Sequence, residues 1–213
     1  MRDFRRLCLI TDRHIAPEPI LTRVAKILNA GIGQVILREK DLPPKELLAL
    51  ATALLPIARQ TQSRLIINSD LTVASQIRAD GLHLPFQAIH HIGDLGKAKK
   101  LGLRVGISAH TLEEAVLAEK AGADLVLIGP IFPTSCKPGH PGAGTRLIER
   151  IKRRLKIPVW AVGGLNPQNI PFVFKAGATV ACLREALLTA PDPAKVAQEC
   201  LLATESQELD LVS

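Results

Sequence analysis

Polar side chains that can bind anions or transfer protons recur directly after short apolar runs in this sequence. Arg38 and Lys40 follow one such run, Asn68 follows the next, and Ser108 and His110 follow a later one. Runs of this kind are typical of parallel strands, and ligand-binding groups lie at the carboxyl ends of such strands in α/β proteins. We therefore expect these side chains to meet at one edge of the fold.

Positive charge is concentrated at this predicted edge. Its four cations are Arg13, Arg38, Lys40 and Lys137. They converge from the first, second and sixth predicted strands, which favours an anionic ligand. Gly163-Gly164 lies before a predicted helix that begins near Asn166, and paired glycines let backbone N–H groups approach a phosphate at a helix N-terminus. A tight turn would require glycine even without a ligand, so the glycine pair supports phosphate binding only in combination with the cations.

His110 is the strongest candidate for general acid–base catalysis, because imidazole titrates near neutral pH and transfers a proton in either direction. The alternative is a residue at a helix N-terminus that makes a local hydrogen bond. Thr111 is the predicted N-cap of that helix, with Glu114 completing a capping box. His83 lies inside a predicted strand, where a hydrogen-bonded core histidine is the commoner role.

A loop rich in glycine and proline follows the sixth predicted strand and carries Thr134, Cys136 and Lys137. We predict that all three contribute to ligand binding. A thiolate at Cys136 would be stabilised by Lys137, although a polar contact within the loop is the preferred interpretation. Loops of this composition close over a ligand in some enzymes and are ordinary surface connections in others.

Eight short apolar runs, each followed by helical periodicity, account for the chain. The runs begin near Leu7, Gln34, Leu65, Gly81, Val105, Leu125, Val159 and Val180. Short strand–helix connections imply parallel strands with right-handed crossovers. An open doubly wound sheet is the alternative, but eight units in 213 residues fit a closed barrel better. We predict one α/β domain over residues 1–213, a (β/α)8 TIM barrel, with a frayed polar tail after about residue 203.

Composition excludes several other classes of protein. A hydrophobic content of 47% with 22% charged residues excludes a disordered chain. The net charge of +7 lies partly in clusters such as Lys152–Lys156, but no aromatic residues interleave with them for base stacking, so we predict no nucleic-acid partner. We find no signal peptide, no membrane-spanning run and no C-x-x-C, which predicts a cytoplasmic protein without a membrane partner.

Carboxylates that would bind a metal ion are scarce near the predicted edge. Asp70 and Asp80 are the nearest candidates, and Asp80 precedes the fourth strand, which places it at the opposite end. We therefore predict neither a metal site nor a cofactor.

Seven segments together resemble the thiamine-phosphate synthase superfamily. They are LITDR at 9–13, REKD at 38–41, IIN at 66–68, ADGLHL at 79–84, GISAHTLEEA at 106–115, GADLVLIGPIFPTSCKPG at 122–139 and PVWAVGGL at 158–165. The resemblance extends from about Leu7 to about Leu188. It implies a TIM barrel, in agreement with the strand–helix pattern.

The superfamily has two branches, which differ in whether they have ligands for a metal ion. Thiamine-phosphate synthase joins a pyrimidine pyrophosphate to a thiazole phosphate and needs Mg²⁺, held by two Asp residues. Ser69 and Ala88 stand at those positions here, and neither is an anionic ligand. The thiazole tautomerase branch, the TenI family, lacks the metal site, and it aromatises a carboxythiazole phosphate by moving a proton. The run SAHTLEEAVLAEK and the pair Cys136-Lys137 are more similar to this second branch.

The resemblance thus predicts a metal-independent thiazole tautomerase-like isomerase of thiamine biosynthesis, with His110 as the proton-transfer residue and a small phosphorylated thiazole as substrate. Thr134, Lys137 and Gly163-Gly164 would hold the phosphate and carboxylate of this substrate. Four residues match the pyrophosphate and pyrimidine site of the synthase: Arg38, Lys40, Asn68 and Ser108. One alternative is a divergent synthase, the only case that would require Mg²⁺. Another is a non-catalytic ligand-binding or regulatory relative. A homodimer is the family expectation.

One position departs from the family pattern. After the eighth strand the family usually presents a small residue, often Ser, whose backbone N–H helps to bind the thiazole phosphate. Glu185 stands there in this sequence. A carboxylate beside a phosphate weakens binding unless it turns away or pairs with Arg184 or Lys137.

Overall fold

The computed structural model describes residues 6–90 and 92–209 of the chain. Eight parallel strands pair in chain order and close into a barrel, so the predicted (β/α)8 fold is confirmed. The strands are β1 Leu7–Ile10, β2 Gln34–Leu37, β3 Arg64–Asn68, β4 Gly81–Leu84, β5 Arg104–Ala109, β6 Leu125–Ile128, β7 Val159–Val162 and β8 Val180–Leu183. The helices are α1 Ile20–Asn29, α2 Pro44–Gln60, α3 Leu71–Gln76, α4 Ile92–Lys100, α5 Leu112–Lys120, α6 Thr145–Arg154, α7 Ile170–Lys175, α8 Glu185–Leu188 and α9 Pro193–Leu209, with a 3-10 turn at Phe86–His90.

The strands are apolar on both faces because each lies between the barrel interior and the surrounding helices. Within β6, Leu125 and Leu127 belong to the cluster inside the barrel, whereas Val126 and Ile128 pack in the layer beneath the helices. This arrangement explains why the strands appear in the sequence as continuous apolar runs rather than as alternating patterns. Trp160 fills part of the interior and is 3% exposed.

Local sequence signals place the helices around this barrel. Pro44 occupies the first turn of α2, where its missing N–H costs no hydrogen bond. Thr111 caps α5 by accepting a hydrogen bond from the Glu114 backbone N–H at 3.1 Å, as predicted. The Glu114 carboxylate in turn accepts a hydrogen bond from the His110 backbone N–H at 2.6 Å. The cap of α5 therefore also fixes the backbone at the end of β5.

The C-terminal helix α9 extends to Leu209 and packs against α1 and α7. The frayed tail expected after about residue 203 stays a prediction. Residues 210–213 of the predicted tail lie outside the described part of the chain. Within that part, no helix combines the length and the apolar character needed to cross a membrane.

Candidate active site

A cavity of about 390 Å³ opens at the carboxyl ends of the strands. Nine of the ten residues predicted to bind substrate or catalyse the reaction line it: Arg38, Asn68, Ser108, His110, Thr134, Cys136, Lys137, Gly163 and Gly164. His83 and four apolar side chains, Ile10, Ile36, Leu127 and Val162, line it as well. The structure therefore brings together predicted residues from the ends of five strands, β2, β3, β5, β6 and β7, in one cavity of ligand size.

Lys40 is the predicted binding residue that the structure does not place in the cavity. Arg38 and Lys40 would point to the same side if the strand continued, but β2 ends at Leu37 and Lys40 lies exposed in a turn. Lys40 therefore does not line the cavity with the other predicted binding residues.

Arg13 is also absent from the cavity lining, and two carboxylates hold its guanidinium. It bonds Glu39 at 3.2 Å and Asp41 at 2.7 Å. The hydrogen bond from Arg13 keeps the pKa of Asp41 well below its usual range. The expectation that four cations converge on a ligand therefore fails for two of them, Arg13 and Lys40.

The remaining predicted cations, Arg38 and Lys137, both line the cavity. Neither side chain forms a hydrogen bond or an ion pair with another residue of 6–90 or 92–209. Arg38 follows β2 and Lys137 lies in the loop after β6, and these strands lie four positions apart in a ring of eight. Two uncompensated positive charges thus enter the cavity from opposite sides.

A four-residue network lies at the β8–β1 side of the cavity, which two of its members, Arg184 and Glu185, line directly. Ser135 and Arg184 were not predicted as site residues. Arg184 Nη1 donates to Asp12 Oδ2 at 2.7 Å, and Arg184 Nη2 donates to Ser135 Oγ at 3.2 Å. Ser135 Oγ donates to Glu185 Oε2 at 2.6 Å. Glu185 therefore pairs with Ser135 and not directly with Arg184 or Lys137. Arg184 follows β8 as directly as Arg38 follows β2, which is the signal that would have indicated it.

The His110 ring is held in one orientation. Its Nδ1 lies 2.5 Å from the carbonyl oxygen of Gly129. A carbonyl only accepts hydrogen bonds, so Nδ1 carries the proton and Nε2 is the acceptor of the neutral ring. A local hydrogen bond is therefore present, and it leaves Nε2 as the atom that could accept a proton. The catalytic role of His110 stays a prediction.

His83 is uncharged at neutral pH. Its ring is buried, and Nε2 lies 2.8 Å from Ser108 Oγ. Burial, with a smaller effect from the nearby positive charge of Arg38, lowers the pKa of His83 to about 4. A neutral His83 bonded to Ser108 suits the predicted role of a core histidine.

The loops after β6 and β7 are joined by backbone hydrogen bonds. Ile131 N donates to Val162 O at 2.9 Å, and Phe132 N donates to Gly163 O at 3.1 Å. Gly164 has a φ of 65°, and a Cβ atom there would lie 2.3 Å from the Pro133 carbonyl oxygen. Close packing of two loops thus requires glycine at this position whether or not a ligand binds.

The helix expected from Asn166 begins later in the structure. Residues 167–169 form a turn, and α7 starts at Ile170. Asn169 Nδ2 donates to Gly164 O at 2.8 Å, which fixes the glycine turn from the side of the helix. A phosphate at Gly163-Gly164 would therefore meet turn N–H groups and not the first turn of a helix.

Comparison with known proteins agrees with this fold. The family described as thiamine monophosphate synthase matches residues 7–187. The chain belongs to this family.

Individual relatives of the thiamine monophosphate synthase family are similar over nearly the whole chain. The thiamine-phosphate synthase of Methanospirillum hungatei is 36% identical over 198 residues, which cover 91% of this chain and 94% of that protein. The enzyme of the same name from Roseiflexus sp. is 36% identical over 209 residues, covering 95% and 86%. The solved thiamine phosphate pyrophosphorylase of Pyrococcus furiosus superposes with a TM-score of 0.86 at 30% identity and covers 97% of this chain and 98% of its own.

These similarities correct the predicted activity. The interpretation as a thiazole tautomerase-like isomerase is wrong, since the relatives similar over most of the chain are named synthases, which are transferases. That interpretation depended on two positions, Ser69 and Ala88, and on short motifs after β5 and β6. Similarity over more than nine-tenths of the chain outweighs those local differences.

The synthases of this family imply a Mg²⁺ ion, and the described residues do not fit one at this site. Glu185 is the one carboxylate among the cavity-lining residues described, and it accepts a hydrogen bond from Ser135. Asp12 is paired with Arg184, and Asp70 Oδ1 accepts the Val73 N–H that caps α3. Across residues 6–90 and 92–209, no group of three or more His, Cys, Asp or Glu side chains is arranged to hold a metal. A hard divalent cation needs several oxygen ligands, and this set of donors does not supply them.

Proposed function

We propose that this protein is a transferase that catalyses the thiamine-phosphate synthase reaction. It would join a pyrimidine diphosphate ester to a thiazole phosphate and release pyrophosphate. The observation that carries the proposal is the pair of uncompensated cations, Arg38 and Lys137, at opposite sides of the cavity. A reaction between two phosphorylated substrates requires positive charge at two separate places, and one cation cluster would not serve both.

The remaining lining residues support the same reaction. Ile10, Ile36, Leu127 and Val162 provide an apolar floor for two heteroaromatic rings. Arg38, Asn68 and Ser108 form one polar side, which we assign to the pyrimidine diphosphate. Thr134, Lys137 and Gly163-Gly164 form the other side, which we assign to the thiazole phosphate. Holding both substrates in one small cavity converts a bimolecular step into an effectively unimolecular one.

We assign His110 to proton transfer during the reaction. With Nδ1 bonded to Gly129 O, its Nε2 accepts a hydrogen bond or a proton from the pyrimidine as the leaving group departs. The proton returns once the new bond has formed, so the reaction needs no net acid or base. His110→Gln keeps a polar side chain but cannot take up a proton, and we expect it to lower kcat more than it raises KM.

The proposal is tested by supplying both substrates and measuring thiamine phosphate by chromatography, with and without Mg²⁺. Wild-type protein should form the product in at least one of these conditions. Arg38→Met and Lys137→Met should each lower kcat/KM by about 10-fold or more, because each removes a charge-assisted contact to a phosphate. Arg153→Met, on the exposed surface of α6, is the matched control and should leave kcat/KM unchanged. Substrate binding without product in either condition would refute the proposed transferase.

A further inference from the structure

We infer that this site binds and releases pyrophosphate on side-chain cations, without a divalent metal ion. The inference rests on the proposed function for its substrate. Two structural observations support the inference, and both are independent of that function. The carboxylates around the cavity already form hydrogen bonds or ion pairs, and the cations do not.

The carboxylates around the cavity already have partners. A metal ion would have to displace Arg184 from Asp12, where the N–O distance is 2.7 Å, or Ser135 from Glu185, where the O–O distance is 2.6 Å. These contacts join the ends of β1 and β8 to the loop after β6, so breaking them would disturb three elements at once. At the end of β3, Ser69 Oγ accepts a hydrogen bond from Asn68 Nδ2 at 2.9 Å and carries no charge. Metal binding therefore competes with interactions that hold the site together.

The cations show the opposite arrangement. Arg38 has no side-chain partner in residues 6–90 and 92–209, yet its backbone is fixed, because its N–H donates to the buried Thr11 hydroxyl at 2.9 Å. A guanidinium offers two parallel N–H donors that match two phosphate oxygens. Neighbouring His83 is neutral, since burial lowers its pKa to about 4, and so it does not compete for the anion. Arg38 thus combines a fixed backbone with a charged guanidinium that lines the cavity and has no partner among the described residues, as a diphosphate ligand requires.

The chemical step balances without a metal. The C–O bond between the pyrimidine methylene and the diphosphate breaks, and the diphosphate leaves with the electron pair. The thiazole ring nitrogen supplies its lone pair to form the new C–N bond and becomes a cation. The charge that must be stabilised is the one gained by the diphosphate oxygens. Arg38, on the side of the cavity assigned to the diphosphate, supplies positive charge at those oxygens.

Binding of inorganic pyrophosphate, measured by calorimetry, tests the inference without requiring turnover. The dissociation constant of wild-type protein should be the same in excess EDTA and in Mg²⁺. Arg38→Met should weaken binding by about 10-fold or more in EDTA, and Arg153→Met should not change it. Circular dichroism and the unfolding midpoint establish that each variant is folded. Pyrophosphate binding that appears only with Mg²⁺, or that survives Arg38→Met unchanged, would overturn the inference.

A second experiment measures product formation and separates this inference from the proposed function. Product formation by wild-type protein in EDTA at the rate seen in Mg²⁺ is expected. Product formation confined to Mg²⁺ would overturn the metal-free inference while confirming the transferase. Absence of product in both conditions would refute the transferase, and the pyrophosphate measurement in EDTA would still decide whether the site is metal-free.

Discussion

Single residues in this site are tuned by partners that lie far apart in the sequence. Burial keeps His83 uncharged, and the carbonyl of Gly129 fixes the tautomer of His110. Ion pairing with Glu39 and Asp41 removes Arg13 from the cavity, while Arg38 stays unpaired within the described residues. The residue type alone therefore does not decide which cation serves a ligand.

His83 should make stability depend on pH in a defined window. The folded chain keeps His83 unprotonated down to about pH 4, whereas the unfolded chain takes up that proton below about pH 6.5. The unfolded state binds more protons between these values, so the free energy of unfolding falls as pH decreases from 6.5 to 4. The contribution of this single group is about 3 kcal/mol.

Urea denaturation at pH 7 and pH 4 of wild-type protein and His83→Gln measures this contribution. The variant should lose less stability than the wild type on acidification, by about 3 kcal/mol. His140→Gln changes an exposed loop histidine and should behave like the wild type. Equal losses for His83→Gln and the wild type would show that His83 is not held neutral by burial.

At the scale of elements, what could be predicted depends on how local the interaction is. The capping box at Thr111 and Glu114 spans four residues, and both the cap and the start of α5 were predicted correctly. The strict constraint on Gly164 comes from Pro133, in another loop 31 positions earlier, and no local pattern reveals it. The turn at residues 167–169 precedes α7, and Asn169 in this turn bonds back to Gly164 O, five residues earlier.

Replacing Gly164 separates close packing from backbone strain. Gly164→Ala adds a Cβ at 2.3 Å from Pro133 O and forces alanine to a φ of 65°, so we expect a loss of about 2–4 kcal/mol. Gly102→Ala also meets a positive φ, of 75°, but has nothing within 4 Å of the added Cβ. The free energy of unfolding of this variant should fall by only about 1–2 kcal/mol, which is the contribution of backbone strain alone. Urea denaturation gives both values, and an equal loss in the two variants would contradict a packing contribution at Gly164.

For the whole molecule, the repeated strand–helix pattern was sufficient to predict the barrel. The Lys40 error has a physical origin, since the two-residue side-chain period holds only while the strand continues, and β2 stops at Leu37. The error in activity arose because Ser69 and Ala88 were given more weight than the rest of the chain. Arg184 and Ser135 were missed because their network forms only when the first and last strands meet.

Closure of the layer of helices around the barrel depends on Arg23. This residue lies in α1 and is 2% exposed. Its guanidinium bonds Glu18 at 3.2 Å and the carbonyls of Leu187 and Ala190, so it joins the start of the helical layer to its end. Arg23→Met leaves these carbonyls without a donor and should lower the free energy of unfolding by about 3 kcal/mol.

Lys26→Met is the matched control for Arg23. Lys26 lies on the same helix and bonds the same Glu18, at 2.6 Å, but its side chain is 50% exposed. Its loss should cost at most about 1 kcal/mol. Both values come from urea denaturation with an unchanged m-value, and comparable losses in the two variants would argue against a closing role for Arg23.

The contact between Asp12 and Arg184 spans 172 positions of the chain. A chain still emerging from the ribosome carries Arg38 and Asn68 early, but the barrel is not closed until β8 pairs with β1. Because the cavity is lined by residues from early and late strands, a ligand that contacts both parts binds only the closed barrel. The proposed activity therefore requires the complete chain of eight strands.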